Sequence, residues 1–144
     1  MKKVISFALA LSLAALSLFG CEKPAFDFGK TVARLEENGY TQTTEYNTRD
    51  KIEYISSELN RTIQEAGETL WVQVERYARL TKDDDRSLDC TLIEFATEEQ
   101  ARGYVALVLS RRQNGDTVKI ARGENTVVIT NATDVQKNLD LEFK

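Results

Sequence analysis

The sequence predicts an α+β domain, an antiparallel sheet with helices packed on it, behind a short N-terminal leader. Three observations predict it. Residues 70–80 alternate, with Leu70, Val72, Val74, Ala78 and Leu80 set against Trp71, Gln73, Glu75, Tyr77 and Arg79, which is the period of a half-buried strand. Ile52, Ile55, Leu59, Ile63 and Ala66 instead recur at the spacing of an amphipathic helix. Thr97, with Gln100 three residues on, has the form of a capping box that turns a strand into a helix.

In chain order, a first helix is expected over Asp27–Asn38, with Phe28, Val32 and Leu35 inward and Gly39 in the left-handed position that ends it. A threonine-rich strand follows over Tyr40–Tyr46, then a helix over Thr48–Ala66 stopped by Gly67. The alternating strand 70–80 leads through a polar hairpin loop, Thr81–Ser87, to a partner strand over Leu88–Ala96. The helix capped by Thr97 buries Ala101, Tyr104, Val105 and Val108 and is ended by Asn114-Gly115. Asp116–Arg122 and Thr126–Thr130 form a hairpin about Gly123-Glu124-Asn125. A last helix starts at Thr133, with Gln136 in the box position, and buries Val135, Leu139 and Phe143. The central succession, strand, helix, strand, strand, helix, strand, is the ferredoxin-like split βαββαβ arrangement, with an extra N-terminal helix and a C-terminal strand and helix. The corner Phe95-Ala96-Thr97-Glu98-Glu99-Gln100-Ala101 resembles that of ferredoxin-like domains in small exported bacterial proteins.

The leader carries the other signal. Lys2 and Lys3 precede an apolar run from Val4 to Phe19 interrupted only by Ser6, Ser12 and Ser17, the layout of an export signal. The run falls short of the roughly 20 residues a spanning helix needs. Leu18-Phe19-Gly20-Cys21 resembles the lipobox of bacterial lipoproteins, with Phe19 where a small residue is usual. That resemblance implies diacylation of the Cys21 sulfur and removal of residues 1–20. Two or more acyl chains give stable anchoring where one does not. The expected organisation is signal peptide 1–20, anchor and tether 21–26, and a single domain 27–144.

Charge narrows the partners. Removing Lys2 and Lys3 from the 19 basic residues leaves 17 against 23 acidic ones, a net charge of −6. Nucleic acid and anionic lipid headgroups are therefore poor partners, because their binding rests on a basic footprint, and no nucleic-acid partner is expected. The strand Leu88–Phe95 also lacks the exposed aromatics on which RNA-recognition modules stack bases.

Chemistry is sparse. The chain has no histidine, which removes the commonest general base and metal ligand. Asp83-Asp84-Asp85 with Asp89 lacks the alternate-position spacing and central glycine of a calcium loop. It reads as a solvated hairpin tip, so no metal is expected. The glycines are scattered, so no phosphate-cradling loop and no cofactor is expected either. With Cys21 acylated, Cys90 is the one remaining thiol. Its apolar neighbours Leu88, Leu92 and Phe95 make it a buried small hydrophobe. The candidate partner-binding face is Trp71, Tyr77 and Arg79, since exposed aromatics and arginine mark protein interfaces. The competing expectation is that a terminal helix covers this face.

These observations predict a non-catalytic binding or structural module of the cell envelope, held to the bilayer through Cys21 and facing the periplasm or exterior. The alternatives are a small carboxylate-dependent hydrolase using acids such as Asp83–Asp89, or an accessory subunit of an envelope complex with a protein partner.

Overall fold

A computed structural model describes residues 25–43, 46 and 48–144. The predicted signal peptide, Cys21 and most of the tether lie outside the described residues. Among the described residues the fold is α+β, with one five-stranded antiparallel sheet and four helices. In chain order these are α1 (Phe28–Glu37), β1 (Tyr40–Gln42), α2 (Arg49–Glu65), β2 (Val74–Lys82), β3 (Asp89–Phe95), α3 (Glu98–Ser110), β4 (Lys119–Gly123), β5 (Thr126–Thr130) and α4 (Thr133–Asn138).

The strands lie in the order β1-β2-β3-β5-β4, and every neighbouring pair is antiparallel. β3 and β4 therefore run parallel, joined by α3, with β5 inserted between them. This is a split βαβ unit, compatible with the ferredoxin-like expectation. β1 is a short edge strand beside β2. On the outer edge of β4, Ile120 exchanges backbone hydrogen bonds with Lys144 at 2.9 and 3.1 Å. Pairing at that position shortens the edge left open to another strand.

Both faces of the sheet are buried. On one, Phe28, Val32 and Leu35 of α1 and Val135 of α4 pack on Ala78, Leu80, Cys90, Leu92 and Val128. On the other, Ile63 of α2 and Ala101 of α3 pack on Val74, Ile93, Phe95, Ile120 and Val127. Hence β3 and β5 carry continuous apolar runs, Leu92-Ile93 and Val127-Val128-Ile129, as strands buried on both faces do.

The expected strand 70–80 is corrected at both ends and within. Regular pairing begins only at Val74, because most of the backbone groups before it are satisfied by side chains, although the Gln73 carbonyl still accepts from Ala96 N–H at 2.9 Å. Asn60 of α2 brackets Val72, its amide donating to the Val72 carbonyl at 2.7 Å and accepting from its N–H at 2.8 Å. Ser56 Oγ accepts from Val74 N–H at 2.9 Å, and Gln100 Oε1 from Gln73 N–H at 3.0 Å. The register then shifts between Val74 and Arg76, which oppose Phe95 and Glu94, leaving Glu75 as the extra residue of a β-bulge. One extra residue sends every later side chain to the opposite face. Val72 and Val74 therefore enter one core, while Ala78 and Leu80 enter the other.

Smaller differences have local causes. β1 stops at Gln42 instead of running to Tyr46; Thr44 and Glu45, within that expected strand, lie outside the described residues. Thr97 caps α3 by accepting from Gln100 N–H at 3.2 Å, but the Gln100 side chain turns to Gln73 rather than closing the box. Ala132, not Thr133, occupies the cap of α4 and makes no side-chain bond there. Phe143 packs against the first core from beyond α4, which ends at Asn138.

Candidate functional site

The bulge decides what becomes of Trp71, Tyr77 and Arg79. Trp71 precedes β2 and is 58% exposed, one of the few large hydrophobic side chains left open to solvent. It lines an open groove of about 710 Å3 against the first half of α2, with Arg49, Ile52, Glu53, Ser56 and Ser57 on the opposite wall and Gln73 and Glu75 beside it. Arg49 and Glu53 pair across one turn of the helix at 2.8 Å. The groove rim is polar and close to neutral, with one aromatic plane standing in it.

Tyr77 does not stand in that groove. The bulge turns it into the core beneath α2 and α3, where it packs half-buried. Its ring meets that of Tyr46 edge-on at 5.0 Å between centroids, and burial pushes its phenol above the ordinary value. Arg79 is exposed and pairs with Asp89 at 3.3 Å across the β2–β3 ladder. The three residues expected on one face thus divide into an exposed aromatic, a core residue and a cross-strand ion pair.

The carboxylates of the β2–β3 hairpin have separate partners. Asp83 accepts from the Thr41 hydroxyl at 2.5 Å, Asp85 from the backbone and hydroxyl of Ser87, and Asp89 from Arg79. Among the described residues no group of three or more histidine, cysteine or acidic side chains is placed to hold a metal ion. Cys90 is fully buried, and its thiol is pushed up to about 12, by burial first and then by the neighbouring Asp89 charge. A thiolate nucleophile needs the opposite shift.

Sequence reasoning missed one polar cluster. The Tyr40 hydroxyl donates to Asp134 Oδ1 at 2.7 Å, while Lys82 Nζ donates to Asp134 Oδ2 at 2.6 Å and lies over the Tyr40 ring. Burial alone raises the Asp134 carboxyl, but the bonds from Lys82 and Tyr40 outweigh it and hold the group below the usual carboxylate range. Tyr40 is pushed up by its burial and by that same bond. The cluster ties the start of α4 to β1 and β2. Its members are 94 and 52 positions apart in the chain, so no local pattern announces it.

A second concavity of about 420 Å3 is lined by Ala25, Phe26, Lys30, Arg34, Arg122, Leu139 and Asp140 among others. The Phe26 ring lies directly over Gly123, so close that a Cβ there would stand 2.5 Å from its Cγ and Cδ2. Among the described residues no helix is long and apolar enough to cross a membrane.

No protein-family model matches the chain, and neither a curated protein nor a solved structure matches it.

Proposed function

We propose that the chain is an exported lipoprotein, anchored through acylated Cys21, whose domain serves the cell envelope as a non-catalytic binding or structural module. One observation carries this reading: a basic start, an apolar run and Leu18-Phe19-Gly20-Cys21 in the order an export and acylation signal requires. The chemistry of the domain is in keeping with it. Histidine is absent from the chain, and Cys90 is buried with its thiol held protonated.

The test is the intact mass of the detergent-extracted protein. The expected mass is that of Cys21–Lys144 plus two or three acyl chains, and Cys21→Ala is expected to leave the membrane. An unmodified mass, or a Cys21→Ala protein that stays in a carbonate-washed membrane pellet, overturns the reading.

The exposure of Trp71 favours a particular version, in which the module is an accessory subunit docked by one protein partner. An exposed tryptophan beside a polar rim is the usual centre of an interface hot spot. A photo-crosslinking side chain in place of Ser57, on the groove wall, should give one discrete adduct that Trp71→Ala abolishes. An adduct indifferent to Trp71→Ala removes Trp71 from the interface.

A further inference from the structure

The sheet has two distinct ends, and the chain enters at one of them. Phe26 is seated over Gly123, at the β4–β5 turn. Asn125 of the same turn holds the end of β3, accepting from Phe95 N–H at 2.9 Å and donating to the Phe95 carbonyl at 2.8 Å. Phe95 in turn opposes Val74, the first residue of β2. From there β2 runs to Lys82, roughly 26 Å away at about 3.3 Å per residue. The hairpin Asp83–Asp85 therefore lies at the far end of the sheet from the entry point.

The tether is short by comparison. Between Cys21 and Phe26 stand Glu22, Lys23, Pro24 and Ala25, which span under about 20 Å even when extended. Phe26 is fixed rather than swinging, because its ring is packed against Gly123 and the core under α1. Charge acts in the same direction. Around the entry point Lys30, Arg34 and Arg122 are balanced by Asp27, Glu124 and Asp140. At the far end three exposed aspartates stand against Arg86, and anionic headgroups repel such a tip within a Debye length of about 8 Å.

We propose that the end of the sheet bearing Phe26 and the Gly123–Asn125 turn is the face apposed to the phospholipid surface, and that the Asp83–Asp85 hairpin is the outermost point of the anchored domain. The inference rests on the anchoring reading above and adds a direction to it. The Trp71 groove and the hairpin are then offered to partners at different heights above the bilayer.

The experiment uses the acylated protein in vesicles that carry a quencher on the lipid headgroup, with a fluorophore on Asp140→Cys at the entry end or on Asp84→Cys at the hairpin. Cys90 is buried and takes no label. Flotation with the vesicles comes first: a protein that does not float removes the anchor, and the orientation with it. For protein that floats, the expected result is headgroup quenching several-fold stronger at position 140 than at position 84. Equal quenching, or stronger quenching at position 84, overturns the orientation while leaving the anchor standing.

Discussion

Replacing Gly123 by alanine tests whether Phe26 is truly seated at the β4–β5 turn. The added Cβ would lie 2.5 Å from Phe26 Cγ and Cδ2 and 2.9 Å from Phe26 Cβ, well inside the 3.5–4.0 Å optimum for carbon contacts. The atoms struck are the root of the side chain, so rotating the ring tip gives no relief. Either the turn shifts or the ring leaves its seat. Overpacking of this kind costs about 1–3 kcal/mol, and losing a half-buried phenylalanine falls in the same range, below the roughly 3–5 kcal/mol of a fully buried one. Alanine recovers up to about 1 kcal/mol from the unfolded chain. The net loss is about 1–2 kcal/mol, or about 1 M in the urea midpoint at a slope of about 1–2 kcal/mol per molar. Urea denaturation of Gly123→Ala, Phe26→Ala and the pair reads it directly. In the Phe26→Ala background the Gly123→Ala penalty should vanish, a coupling of at least about 1 kcal/mol. Equal penalties in the two backgrounds would refute the seating of Phe26, and with it the entry point on which the proposed orientation rests. Gly103→Ala is the control: its Cβ meets only the flexible end of Leu70, with Cδ1 at 2.9 Å. A helical glycine replaced by alanine gains about 1 kcal/mol, so that variant should be neutral or more stable.

Three further outcomes follow from the same contacts. Asp134 has a folded-state carboxyl below its ordinary value, so its contribution is present above the unfolded value of about 3.9 and is lost as pH falls through the lower folded one. Asp134→Asn should cost about 1 kcal/mol at neutral pH, since it keeps an acceptor for Tyr40 but loses the charge facing Lys82, and should flatten melting temperature against pH below about pH 4; an unchanged acid limb counts against the cluster. Cys90, with its thiol near 12 and fully buried, should resist iodoacetamide in the folded protein and react only as the chain unfolds; rapid native labelling would show the site to be open. Trp71→Ala should change stability by less than about 0.5 kcal/mol as a surface substitution, whereas Tyr77→Ala should cost about 2–4 kcal/mol through lost burial and the Tyr46 ring contact; thermal melts that rank the two variants the other way contradict the bulge.

The α+β class and the helices were legible because their signals are local. Phe28, Val32 and Leu35, or Ile52, Ile55, Leu59 and Ile63, state a buried face within a few turns, and Thr97 marks a helix start. The bulge at Glu75 left only a faint trace, the consecutive polar pair Glu75-Arg76 where the alternation breaks, and it takes the pairing with β3 to show the extra residue. The two-sided burial of the sheet did leave a trace, in the unbroken Val127-Val128-Ile129, but a short apolar run does not say which layers cover it. Cys90 was readable as a core residue from its neighbours. Tyr40, Lys82 and Asp134 were not readable as a unit, because their meeting is set by the docking of α4 on the sheet.

The bulge also changes how the Trp71 groove has to be interrogated. On an unbroken strand Trp71, Tyr77 and Arg79 would form one surface, and removing both aromatics together would be the natural binding test. In the folded domain Tyr77 belongs to the core under α2 and α3, where it meets Tyr46, and Trp71 belongs to a groove walled by α2. A Trp71→Ala, Tyr77→Ala double variant therefore loosens the packing beneath α2, the helix that forms the groove, and any lost contact would report stability as much as recognition. The informative set is Trp71→Ala with Arg49→Ala and Ser57→Ala, which change the groove surface and leave the core under α2 packed. A partner that distinguishes these from the wild type while their melting curves coincide is reading the groove itself.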